Sequence, residues 1–446
     1  MGFEKERGSS SHGLQVPEEA SSSSPLLLPG HPDAGRPLSS QPKTFANVFI
    51  AIVGAGVLGL PYAFKRTGWV AGSLMLLVVA ALTYHCMMLL VRTRRKLELD
   101  VGFSKIASFG DLGLAVSGPA GRLAVDAMIV LSQAGFCVSY LIFIANTLAH
   151  LYNGSDDGDS SSSSSSSLLL SGAGHLFLGL QPKFFYIWGM FPFQLGLNSI
   201  KTLTHLAPLS IFADVVDIGA MGVVMVEDVA LYLQRQPPLR AFGGLSVVFY
   251  GLGVAVYAFE GIGMVLPLES EAADKAKFGR TLGISMGIIS LMYALFGVLG
   301  YFAFGEDTRD IITTNLGKGL LTELVQLGLC INLFFTFPLM MNPVHEVVER
   351  TFAGKRFCLW LRWALVLGVT LVALLVPNFA DFLALVGSSV CCVLGFVLPA
   401  WFHLKVFREE MALWGITLDL GIMILGIVFA VSGTWSSLVE ILSIKS

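Results

Sequence analysis

Apolar residues dominate long, nearly uninterrupted stretches of this chain, and polar residues collect in the gaps between them. Runs near 44–64, 69–91, 123–148, 184–200, 206–232, 244–268, 281–304, 320–343, 363–376, 378–404 and 411–432 each approach the length of a bilayer crossing. A spanning helix needs about 20 such residues. The pattern therefore predicts an all-α integral membrane protein with eleven transmembrane helices. Residues 1–43 are rich in Ser, Pro, Glu and Gly and too poor in apolar side chains to fold, so they read as a disordered head. The stretch 149–183 holds eight consecutive serines, Ser160 to Ser167, and reads as a low-complexity loop. Residues 44–432 are left as the membrane domain, with 433–446 as a short tail.

Composition agrees. Only 13% of residues are charged and 54% are hydrophobic, where an ordinary soluble domain carries about 25% charged residues. A chain of soluble domains is excluded. A net charge of -3 offers nothing to nucleic acid. The six cysteines lie in or beside apolar runs without CxxC spacing, so neither a metal site nor a disulfide scaffold is expected.

Placing the N-terminus in the cytosol puts 20 of the 28 Lys and Arg on the cytosolic side. The sequon Asn153-Gly154-Ser155 then falls on the opposite face, as a glycosylation candidate, and the C-terminal tail becomes luminal. In the head, Glu18-Glu19, Ser21 to Ser24 and Leu26-Leu27-Leu28 resemble an acidic dileucine signal. That makes a sorting adaptor an expected partner.

Two enzyme-like motifs fail on context. Gly54-Ala55-Gly56-Val57-Leu58-Gly59 spells GxGxxG inside a membrane span, followed by Pro61 and no suitable acid. Gly283-Ile284-Ser285-Met286-Gly287 spells GxSxG inside span seven with no triad around it. Gly279, Gly283 and Gly287 instead mark a small-residue packing face. No catalytic residue is expected.

The more informative feature is a repetition. Gly-x-Gly, apolar residues and then proline occur at Gly54–Pro61 in span one and at Gly261–Pro267 in span six. Interrupted helices at matching places in two halves point to a transporter's central site. Unwinding there frees backbone N–H groups of residues 54–57 at the start of a half-helix, where an anion such as a carboxylate is favoured. Carbonyls near Phe259 would attract an ammonium group, and Phe259 itself would wall the substrate. Acidic residues also lie in or near the spans: Asp126, Asp214, Asp217, Glu227, Asp228, Glu260, Asp381 and Asp419. Glu260 beside the second break, with Asp214 and Asp217 on one face of span five, are the proton-coupling candidates. Glu227, Asp228, Asp381 and Asp419 also fit plain interfacial positions. No metal site and no cofactor is expected, with the proton as coupling ion.

Thr44-Phe45-Ala46-Asn47 leading into GAGVLGLPYAF at 54–64 resembles the first helix of the amino acid/auxin permease family. KTLTHLAPLSIFADVVDIGAMG at 201–222 and YAFEGIGMVLPLE at 257–269 resemble its plant vacuolar amino acid transporter branch. The resemblance covers residues 41–432. It implies a LeuT-type inverted repeat of five plus five helices, with helices one and six broken and an eleventh outside the repeat. It also implies neutral amino acids as substrates, the carboxylate held by Val53, Gly54, Ala55 and Gly56 and the amino end by Phe259, Gly261 and Gly263. Proton-moving relatives often carry Asn before the glycines, where this chain has Ile52-Val53. Span five holds no Lys to replace a sodium ion, which leaves a proton or no coupling. The expectation is proton-coupled export from vacuole lumen to cytosol. A plasma-membrane proton/amino acid symporter and an amino acid sensor are the alternatives.

Overall fold

A computed structural model of the chain describes residues 38–100, 106–153, 182–200, 207–317, 319–354 and 356–443, without the side chains of 100, 153, 207–214, 245, 246 and 443. The serine run, the dileucine-like residues of the head and the side chain of Asn153 lie outside what is described. All the helices follow the apolar runs. They are α1 (Gln41–Ile52), α2 (Leu60–Thr67), α3 (Trp69–Asp100), α4 (Phe109–Asn153), α5 (Pro182–Asn198), α6 (Ala207–Arg235), α7 (Leu245–Ala258), α8 (Ile262–Glu271), α9 (Lys275–Phe304), α10 (Leu320–Phe352), α11 (Leu359–Leu375), α12 (Phe379–Val386), α13 (Leu398–Phe407) and α14 (Leu413–Ser443). Among the described residues no strand forms, and the sole bridge pairs Ser39 with Ala272.

By length and composition seven helical stretches can cross a membrane, and the bent pair α1–α2 makes an eighth, with a 48° change of direction at its break. The α7–α8 pair counts as one of the seven, spanning 247–271. Each apolar run falls on helical segments, and the runs 44–64 and 244–268 are each divided by a break. Two of the runs lie on helices of only 17 residues, α5 and α11.

Element ends depart from the hydropathy pattern where local chemistry intervenes. Ser39 and the 271–273 connection exchange backbone hydrogen bonds of 2.8 and 3.0 Å, so the described part of the head is tied down before α1 begins at Gln41. The helix of span three starts early, at Phe109, but is bent at Ser117-Gly118-Pro119. Gly118 has φ +65°, a left-handed conformation that glycine accepts at no steric cost. Beyond 432, Trp435, Val439 and Leu442 keep an apolar outer face, and α14 continues to Ser443 instead of ending in a tail.

One helix abandons regular geometry inside the bundle. Between α12 and α13, Gly387–Cys391 and Val393–Val397 form π-helical turns. Widened turns of this kind are frequent at functional sites. Here they stand against α7 at a close crossing: a methyl group on Gly387 would sit 1.9 Å from the Gly253 carbonyl oxygen.

Candidate functional site

The two glycine motifs open as anticipated. After Ile52 the backbone extends through Val53 and Gly54, then tightens into a 3-10 turn, Ala55–Gly59, before α2. After Ala258 the chain breaks at Phe259, Glu260 and Gly261 before α8. Each break therefore brings together one helix C-terminus and one helix N-terminus. The first N–H groups of the 3-10 turn and of α8 lack intrahelical acceptors, and the last carbonyls of α1 and α7 lack intrahelical donors. A molecule carrying both a carboxylate and an ammonium group matches that set.

The glycines have distinct jobs. A Cβ on Gly56 would lie 2.8 Å from Ala258 Cα and 2.9 Å from Tyr257 Cδ1, so Gly56 lets the two broken spans touch. Gly261 does the same against Ile52, with 2.9 Å to Cγ1. Gly54 and Gly263 meet nothing within 4 Å. They leave space rather than contact. Tyr293 of α9 braces the first break, its hydroxyl donating to the Ile52 carbonyl at 3.2 Å.

Between the breaks lies a cavity of about 310 Å³. Val53, Gly54, Ala55 and Gly56 line it from one side, and Glu260, Gly261 and Gly263 from the other. Phe259 does not. It is fully buried against Tyr293, with ring centroids 5.2 Å apart. Its expected place as an aromatic wall is taken by Phe136, Tyr140 and Tyr257. Tyr257 is itself fixed by a 2.6 Å hydrogen bond with Ser139. Gln133, Asn332 and Thr336 add neutral polar groups. Apart from Tyr257, which opens the 257–269 stretch on α7, none of these carried a motif in the sequence, because they are single residues on α4 and α10 that only packing assembles.

Glu260 lines the cavity, takes the Ile262 backbone N–H and faces the Cys391 thiol in the π-helical turn. No Lys or Arg pairs with it among the described residues. Asp217 also reaches the cavity, from α6. The side chain of Asp214 lies outside the described residues. Asp228 is on the same helix, roughly 16 Å further along; it is wholly buried, and neither of its oxygens has a hydrogen-bond partner among the described residues. Asp381 accepts from Tyr250 at 2.9 Å, and Asp419 lies 2.6 Å from His403. Asp126 has basic partners that the apolar runs concealed: Arg350 at 2.5 Å and Arg122 at 3.6 Å.

The cavity leads to one end of the bundle, past Ser108, Asp126 and Arg350 to the exposed Glu346. The other end is shut by a cluster beneath α2. Tyr250 donates to Asp381, Arg66 pairs with Glu440 at 2.7 Å and lies 5.0 Å from the Tyr250 ring, and Lys65 donates to the Thr308 carbonyl at 3.0 Å. Asp310 accepts the Phe379 N–H at 2.9 Å, closing the same end from the α9–α10 connection.

Comparison with known proteins fits this geometry. A family model described as "Transmembrane amino acid transporter protein" matches residues 38–439. The chain is 65% identical to Amino acid transporter AVT3C of Arabidopsis thaliana, with both chains covered in full. It is 62% identical to Amino acid transporter AVT3A of the same plant, again over 100% of each chain. Amino acid transporter ANT1, also from Arabidopsis thaliana, is 36% identical over 94% of this chain and 97% of its own. Among solved structures, MhsT in complex with L-phenylalanine superposes with a TM-score of 0.53, covering 90% of this chain and all of that one at 12% identity. That likeness is one of fold, the LeuT-type arrangement.

Proposed function

Because this chain belongs to the transmembrane amino acid transporter family, a family of carriers and not of enzymes, we propose that it moves neutral amino acids by secondary active transport. The observation that carries the reading is the cavity between the two breaks. It presents helix N-termini and C-termini to a zwitterion and surrounds the remaining space with Phe136, Tyr140, Tyr257, Leu333 and Leu394. A neutral side chain fits such a wall, against which a charged group would lose its hydration.

The backbone N–H groups at Gly54, Ala55 and Gly56 would hold the substrate carboxylate. Carbonyls ending α7 would hold its ammonium group. Glu260, at the joint of the broken span and open to the cavity, would carry the coupling proton, with Asp217 as the second acidic group in reach. Substrate and proton would thus meet at one hinge, which ties occupancy to rearrangement of α7 against α8. In the orientation set by the Lys and Arg distribution, with eleven crossings and a cytosolic N-terminus, the open end of the cavity is cytosolic. Acidic-lumen loading and cytosolic release then describe export from a vacuole. The family branch that the sequence resembles and the dileucine-like head support that location. The test is flux of labelled alanine in proteoliposomes with the pH gradient present, absent and reversed. Gradient-driven accumulation is expected, and flux indifferent to the gradient would remove proton coupling.

A further inference from the structure

Away from the transport site, the last two turns of α3 carry Arg92, Arg95, Lys96 and Leu99. Their spacing of three, one and three places them on one helical face. That face meets Phe407 and Glu410 across a surface cleft of about 370 Å³. Three cations and one carboxylate leave the cleft with an excess of two positive charges. Arg92 is exposed, and no described residue pairs with it. Lys96 contacts Glu410 and lies 4.7 Å from the Phe407 ring.

The position of this cleft is telling. Arg92 is the first residue after the apolar run 69–91, so the cleft opens where α3 leaves the hydrocarbon. On its membrane side, just past Glu410, α14 begins with the apolar Leu413 and Trp414, 81% and 77% exposed. Cations over an apolar rim at the membrane surface match a phosphate above acyl chains. A soluble anion would use the cations but not the rim.

We propose that this cleft binds the phosphate-bearing headgroup of an anionic phospholipid and that the occupant acts on the second half of span six. The route is short. Arg95 lines the cleft and also pairs with Glu269 of α8 at 3.0 Å. Glu269 is fully buried and holds Arg94 as well, and Arg94 donates to the Leu266 carbonyl of α8 at 2.9 Å. A phosphate drawing Arg95 outward takes one of two cations from Glu269. The grip of α3 on α8, hence the freedom of that half-helix, then depends on the lipid.

The experiment uses the full chain in nanodiscs of phosphatidylcholine, alone or with 5–10 mol% phosphatidylinositol phosphate, compared with Arg92→Gln/Lys96→Gln. Retained lipid is read by native mass spectrometry, and alanine flux is read in matching proteoliposomes. The wild type is expected to retain the anionic lipid and the double variant about 25-fold less, since each interfacial cation adds about a factor of five. Flux in pure phosphatidylcholine should be equal for both, which shows that the variant is folded, and only the wild type should change its flux when the anionic lipid is added. Equal retention by both proteins would overturn the site. Displacement of the lipid by millimolar inorganic phosphate would overturn the lipid assignment in favour of a soluble anion. Retention without any change in flux would overturn the link through Arg95.

Discussion

At the scale of single residues, two glycines two positions apart make a discriminating pair. Gly56→Ala would press a methyl group into Ala258 and Tyr257 at under 3 Å, an overpacking that costs about 1–3 kcal/mol in a filled interior. Gly54→Ala meets nothing within 4 Å, and its backbone is extended. Transport by Gly56→Ala should fall at least tenfold at normal surface abundance, while Gly54→Ala keeps its transport rate within a few-fold. Equal loss in both, measured as labelled alanine uptake, would mean that the close approach of the two breaks is irrelevant. Glu260→Gln asks a different question, because it keeps size and polarity and removes ionisation. The variant should still exchange alanine but no longer respond to an imposed pH gradient. An unchanged gradient dependence would pass the role to Asp217 or Asp214.

Helices and their joints were legible in the sequence wherever a local pattern encodes them. The paired Gly-x-Gly motifs located both breaks because unwinding needs only the local backbone, whatever surrounds it. The aromatic wall was not legible. Phe259 looked suited by adjacency, yet the turn at the break rotates it into α9, and Tyr257 two residues earlier faces the cavity instead. The pairing of Asp126 with Arg350 was equally hidden, since 224 residues separate the partners. The π-helical turns near Cys391 have no sequence signature of comparable strength. At the closed end, Tyr250 on α7 secures Asp381 on α12. Tyr250→Phe would leave that buried carboxylate without its donor, a cost of about 1–3 kcal/mol borne only while the end is shut. The closed end should therefore open more often. A cysteine at Val53 should react several-fold faster with a reagent applied from that side, and an unchanged rate would show that the hydrogen bond does not hold the closure.

The whole molecule presents one open end and one shut end, and its orientation in the membrane can be tested directly. A cysteine within 156–167 should label only from the lumen or exterior, and Leu99→Cys only from the cytosol. Labelling of both from one side would contradict an odd number of crossings between them. The shut end has a further property. Its Arg66–Glu440 pair fastens the last turns of α14, a helix outside the repeated halves, to α2, the helix that follows the first break. A nanobody gripping that peripheral helix would therefore act as a brake, arresting turnover without entering the permeation path. Selected against the exposed face of Trp435 and Leu442, it would inhibit from one side of the membrane alone.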